Sequence, residues 1–201
     1  MIKKTTCTIN TLWKYIFIFQ IFISFKASSQ QTDYFFNIPE APAEYSSNNV
    51  IARMIDGLGF RYYWATYGLN EANLAYKPSE EARTTLQTLQ HIDGLTRVSL
   101  NTITGKPTLN ENNGQLSFDD LRSKTLKQLE ETSVYLRTHS LDPEKQTIRF
   151  GSSDSSGYPL WNLINGPLAD ALWHVGQVVS FRRSSGNPLP KGVNVLEGTK
   201  N

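Results

Sequence analysis

The sequence predicts an all-α protein, a four-helix bundle with long crossover connections. Three observations carry this expectation. Four stretches place apolar residues at spacings of three and four, the period of a helix packed on one side. Two connections between those stretches, 70–81 and 139–159, are long enough to cross a bundle rather than turn tightly, which suits bundles with crossover links. The chain has 201 residues, enough for one good core and hardly for two.

The amino terminus stands apart from that core. Lys3, Lys4 and Lys14 precede the apolar run 15–25, and Ala27, Ser28 and Ser29 follow with the small side chains a signal peptidase reads. Residues 1–29 are therefore expected to be a signal peptide cleaved after Ser29, giving a periplasmic or secreted protein. The run is short of the roughly 20 apolar residues a transmembrane helix needs, so no stable membrane insertion is expected after cleavage. Lys26 lies close to the cut, which leaves an uncleaved anchor as the alternative. Cys7, the only cysteine, falls in this leader, so the mature chain has neither disulfides nor a cysteine nucleophile. Removing the four leader lysines from 20 Lys and Arg leaves 16 against 18 Asp and Glu, a net charge of about −2. That balance gives no electrostatic footprint for nucleic acid.

Residues 30–46, punctuated by Pro39 and Pro42, read as an extended lead-in pinned by Tyr34, Phe35 and Phe36. The bundle is expected over 47–186 and a tail over 187–201. Ser46 or Ser47 caps the first helix, whose apolar positions are Val50, Ile51, Met54, Ile55, Leu58, Tyr62, Ala65 and Leu69. Gly57 and Gly59 weaken it by roughly 1 kcal/mol each relative to Ala, which makes sense where another backbone approaches. Pro78, Ser79, Glu80 and Glu81 mark the start of a second helix over 81–102, since acidic residues suit a first turn. Residues 105–115, rich in Asn and Gly, read as a turn-filled loop. Ser117 opens the third helix, with Phe118, Leu121, Thr125, Leu129, Thr132 and Leu136 on its inner face. Arg122, Lys124, Lys127, Glu130 and Glu131 form a solvated outer face. Within 139–159, residues 146–150 hint at a short extended segment, and the loop as a whole is expected to cover a functional site, because long irregular loops usually have a task.

The fourth stretch, YPLWNLINGPLADALWHVGQVVSFRRSSG, holds the chemistry. Its helix either begins near Tyr158 and bends at Pro167, or begins with Asn165 as cap and Pro167 in the first turn. Leu168, Ala171, Leu172, Val175, Val178 and Val179 form its apolar stripe, and Arg182, Arg183 and Gly186 its carboxyl end. In both cases Asp170 and His174, four residues apart, stack on one face. His91, at the margin of the apolar face built by Leu86, Leu89, Ile92, Leu95 and Val98, is the best third ligand. Two imidazoles and a carboxylate are an ordinary donor set for Zn²⁺, Ni²⁺, Mn²⁺ or Fe²⁺. Taken alone, His91 reads more readily as a core histidine bonded to a carbonyl, since lone helix histidines are common.

These residues resemble the DinB-like metalloenzyme superfamily, which includes YfiT-like proteins and bacterial thiol transferases. His91 in LQHIDGL matches that family's ligand on the second long helix. His174 in WHVGQVV matches its last ligand, and Asp170 falls where the usual HxxxH motif has its first histidine. The segment GLNEANLAYKPSEEARTTLQTLQHI is similar to the family's exit from the first helix. The resemblance implies a four-helix bundle of DinB-like topology over most of 47–186, with a divalent metal ion as cofactor. Asp170 in place of histidine shifts the site toward harder metals and adds one negative charge, or else serves as a partner of the ligands.

The leading functional expectation is an exported divalent-metal-dependent hydrolase or transferase acting on a small-molecule substrate through activated water or thiol. Gln177 and Asn165 are its candidate substrate-orienting residues; their other readings are a partly buried amide and a helix cap. Neither can act as a general base, and Glu71 or Asp93 are the only acids on offer for that role. The alternative is a non-catalytic bundle that binds or senses a small ligand, with the metal structural or lost. A third reading, an interaction module, requires that Tyr62, Tyr63, Trp64, Trp161 and Trp173 form an exposed patch instead of a core. A homodimer is the candidate assembly. Arg182 and Arg183 are expected to steady the helix end or to pair with acids such as Glu81 and Asp93. His139 is expected at the surface.

Overall fold

A computed structural model describes residues 33–110, 116–151 and 157–201. The expected signal peptide, Cys7 and the start of the lead-in lie outside them, as do residues 111–115 of the Asn/Gly loop and 152–156 of the expected cover.

Ser46 does cap the first long helix, α1 (Ser47–Thr66), accepting the amide of Asn49 at 3.2 Å. Beyond Ile55 this helix is buried on nearly every side, with Leu58, Phe60, Tyr62, Tyr63, Trp64 and Ala65 all in the core. The lead-in supplies the cover. Phe35 is buried against α1, and a Cβ on Gly59 would overlap its ring. A side chain, not a second backbone, is what that glycine admits. Val50 and Met54, expected in the core, are instead exposed, in an open pocket they share with Ala41, Pro42 and Tyr45 of the lead-in. Burial pushes the Tyr62 hydroxyl well above its ordinary pKa, and burial with the Asp33 carboxylate pushes Tyr63 up to about 12.

The first connection is not irregular throughout. Gly68 turns at φ +68°, and Asn70 with Asn73 makes a reciprocal cap for the short helix α2 (Glu71–Ala75). The next helix, α3 (Thr85–Ile103), begins four residues later than expected. Its start is set by a capping box in which Gln87 Nα donates to Thr84 Oγ1 at 3.1 Å and Thr84 Nα to Gln87 Oε1 at 2.8 Å. Residues 78–81 form a turn ahead of it. Ser117 caps α4 (Phe118–Thr138), whose predicted inner positions Leu121, Thr125, Leu129, Thr132 and Leu136 are buried.

Two members of the expected solvated face of α4 are engaged. Arg122 Nε donates to Thr66 Oγ1 at 2.9 Å and its guanidinium lies over the Tyr63 ring, while Lys124 Nζ sits 3.6 Å from the buried Asp93. A second buried carboxylate, Asp56 of α1, accepts from Ser133 Oγ at 2.6 Å and from Arg137, both on α4. Charges this far from water persist only when paired and hydrogen-bonded.

Residues 146–150 do contain a strand, β1 (Thr147–Ile148), paired antiparallel with β2 (Tyr158–Pro159). Helix α5 (Leu160–Leu163) follows at once and runs through a π turn, Ile164–Leu168, into α6 (Ala169–Ser184). The bend at Pro167 is thus the alternative adopted, and Asn165 is not a cap. Pro167 has no amide to return to Leu163, and the Ala169 amide reaches back five residues to the Ile164 carbonyl.

The carboxyl-terminal stretch, expected as a tail, contains the hairpin β3 (Val193–Asn194) and β4 (Thr199–Lys200). It fastens to the lead-in: Ile38 Nα donates to Gly198 O at 2.7 Å and Lys200 Nα to Asn37 Oδ1 at 2.9 Å. Residues Asp33–Asn201 form one unit, so lead-in and hairpin belong to the same body as the helices. The fold is mostly helical, with four long helices among the described residues. α1 and α3 each contact both α4 and α6, and α3 also contacts the π turn. That last neighbourhood positions the site.

Candidate metal centre

His91 comes from the middle of α3, between the buried Leu89 and Ile92, so its helix is anchored on one side while the imidazole emerges at the edge. Opposite it, Ala171 and Val175 of α6 are buried and hold Asp170 and His174 on the flank that looks at α3. The three predicted ligands do converge. Each offers one donor atom, and these atoms lie within 4.8 Å of one another.

Asp170 sits between the two imidazoles. Its Oδ2 is 3.1 Å from His91 Nε2 and its Oδ1 is 3.3 Å from His174 Nε2, while the two rings meet edge to face with centroids 4.6 Å apart. Metal–nitrogen and metal–oxygen arms of about 2.0–2.2 Å around a tetrahedral ion place neighbouring donors roughly 3.3 Å apart. The observed separations are therefore those of side chains able to share a first coordination sphere. Two neutral imidazoles and one carboxylate leave a divalent cation with a net positive charge, and with at least one coordination position for a fourth ligand. Side-chain exposures of 33 % for His91, 38 % for Asp170 and 14 % for His174 put that position within reach of solvent.

Gln177 lies three residues beyond His174 on the same helix, and its Oε1 is 2.8 Å from His174 Nδ1. A carbonyl oxygen only accepts, so Nδ1 carries the proton and Nε2 is the nitrogen presented to Asp170 and His91. This is the outer contact that metal-bound histidines commonly have. The placement of Gln177 thus favours a role in orienting a ligand side chain. Asn165, the other candidate, is exposed in the π turn.

The remaining acids are placed elsewhere. Asp93 is fully buried and faces α4, accepting from Thr125 Oγ1 at 3.3 Å and Gln128 Nε2 at 3.2 Å. Burial pushes its carboxyl above the usual range, with Lys124 pulling the other way. It is neither the surface acid expected for an arginine nor turned toward α6. Glu71 is exposed in the first turn of α2. Arg182 is also buried and binds carbonyl groups instead of an acid; burial lowers its pKa. His139 is exposed as expected and stacks on Tyr135 with centroids 3.9 Å apart. Among the five aromatic candidates, Tyr62, Tyr63 and Trp64 are core residues, whereas Trp161 and Trp173 are exposed.

No protein-family model, curated protein or solved structure matches the chain. The resemblance drawn from LQHIDGL, WHVGQVV and the run GLNEANLAYKPSEEARTTLQTLQHI accordingly stands on the sequence alone.

Proposed function

We propose that this chain is an exported divalent-metal-dependent hydrolase or transferase of the DinB-like, four-helix-bundle kind, acting on a small molecule. The observation that carries the reading is the meeting of His91, Asp170 and His174 from two helices around one point. Further support comes from Gln177, which holds His174 by its other nitrogen, and from the partial exposure of all three donors. A divalent cation bound there supplies the Lewis acidity that lets water or a thiol act as nucleophile near neutral pH.

The chain's own part is to hold and orient. His91 and His174 supply neutral nitrogen donors from two rigid helices. Asp170 supplies charge compensation and offers one oxygen to each imidazole. Gln177 selects the tautomer of His174, and Asn165, exposed one turn before Asp170, is proposed to meet the substrate. Export to the periplasm or the medium follows from the leader sequence, and no helix among the described residues is long and apolar enough to cross a membrane.

The competing reading is a non-catalytic bundle that binds a small ligand. One observation favours it: among the described residues the cluster of imidazole and carboxylate groups ends at these three, without a further group to serve as general base. The binding reading takes the metal as structural or lost, so the two readings differ in whether a metal is held there with a position that exchanges with solvent.

Metal analysis of untagged protein prepared without chelator tests the site. One divalent ion per chain is expected in the wild type, with a large loss in each of His91→Ala, Asp170→Ala and His174→Ala. Equal metal content in all four proteins would refute the site. With the metal retained, paramagnetic relaxation of bulk water by the Mn²⁺-loaded protein separates an open position from a closed one.

A further inference from the structure

A groove on the opposite side of α6 has a different chemistry. Val179 follows Asp170 by nine residues, about half a turn round the helix axis, so this face looks away from the metal cluster. The groove has a volume of about 380 Å³, within the roughly 300–1,000 Å³ range of small-ligand sites. Three separate parts of the chain build it: α1 through Arg61 and Trp64, α6 through Val175, Gly176 and Arg183, and the carboxyl-terminal segment through Val193. Its floor is apolar and firm, since Trp64 and Val175 are core residues and Val193 packs against the core. Gly176 opens it, because nothing lies within 4 Å of where a Cβ would stand.

Charge decides what suits this groove. Arg61 and Arg183 are both at its wall, and no acidic side chain lines it. Arg61 donates to two carbonyls, Gly57 O at 2.9 Å and Val195 O at 3.3 Å, which fix its guanidinium at the rim without neutralising it. Neither arginine has a carboxylate partner among the described residues. An apolar trough flanked by two uncompensated guanidinium groups matches a ligand with a hydrocarbon body and an anionic head, since the fork of an arginine pairs with carboxylate and phosphate oxygens alike.

We infer that the groove between α1, α6 and the carboxyl-terminal hairpin binds a single-tailed amphipathic anion. This does not depend on the metal site. Isothermal calorimetry of the full mature chain with decanoate, decyl phosphate and decanol, each below its self-association concentration, tests it and tells a carboxylate from a phosphate head. At least one of the two anions is expected to bind saturably, one per chain, and at least tenfold more tightly than decanol. Gly176→Leu, which fills the trough and raises helix propensity, is expected to weaken that binding at least tenfold, as is Arg183→Gln at the exposed rim. His91→Ala should leave it unchanged. Absence of binding by both anions, decanol binding as tightly as they do, or full affinity retained in Gly176→Leu would each overturn the assignment.

Discussion

At the scale of single residues, Gln177 determines which nitrogen of His174 faces the other two donors. Its Oε1 accepts from Nδ1 at 2.8 Å, and without that acceptor the imidazole can rotate or take the other tautomer. Loss of such an outer partner typically costs 10–100-fold in metal affinity. Gln177→Ala is therefore expected to weaken metal binding by about that factor in a chelator competition, while Gln177→Glu, which keeps an acceptor oxygen, retains most of it. An unchanged affinity in Gln177→Ala would make the contact incidental. The three donors were legible because helical spacing alone puts Asp170 and His174 together, and because the apolar stripe around His91 leaves it at the edge of its helix. What spacing did not reveal was the position of Asp170 between both rings, since that depends on how α3 and α6 are set against each other.

Among the elements, the π turn before α6 has the largest consequence for the site. An extra residue in a helix turns everything beyond it by about 100°, so this turn sets the angle between the Leu160–Leu163 segment and the ligand face. Leu163 and Leu168 are both buried on either side of it, and the phase change lets both reach the core. Inserting an alanine after Gly166, whose Cβ position meets nothing within 4 Å, should turn Leu168 by about a further 100° relative to Leu163 and force one of the two leucines outward. Helical circular dichroism is expected to persist, with stability in urea lowered by more than about 2 kcal/mol, the usual scale for losing a buried leucine. Stability equal to wild type would show that the turn is not needed for this packing. Pro167 made the bend readable; a π turn as its form was not, because a missing amide is compatible with several local repairs. Similarly, T-T-L-Q at residues 84–87 held a capping box, yet the acidic pair Glu80 and Glu81 offered a competing start signal, and tertiary contacts chose between them. The terminal hairpin escaped notice because two paired residues per strand are too few to show an alternating pattern.

For the molecule as a whole, Arg182 joins parts of the chain that are far apart in sequence. Its Nη1 donates to Trp64 O at 2.8 Å and Ala65 O at 3.0 Å, two carbonyls of the last turn of α1 that no intrahelical amide can reach. Its other donors go to Asn187 O, Asn187 Oδ1 and Pro188 O, at 2.6, 3.1 and 3.3 Å, in the segment that leads to the hairpin. Asn187 Nδ2 in turn donates to Gly68 O and to Asn73 Oδ1 of α2. One buried guanidinium thus closes the end of α1 and fixes the exit from α6 and, through Asn187, α2. From sequence it reads as an ordinary basic residue near a helix end, because neither its burial nor its carbonyl partners have a local signature. A lysine carries the same charge but offers three donors from a single atom, so it cannot serve oxygens on both sides of the fork. Leaving buried carbonyls unmatched costs about 1–3 kcal/mol each. Arg182→Lys is therefore expected to lower the unfolding free energy in urea by about 2–4 kcal/mol, whereas Arg183→Lys, one residue on and exposed, should change it by less than about 0.5 kcal/mol. Comparable effects at the two positions would mean that the α1 end and the hairpin segment are held by apolar packing alone.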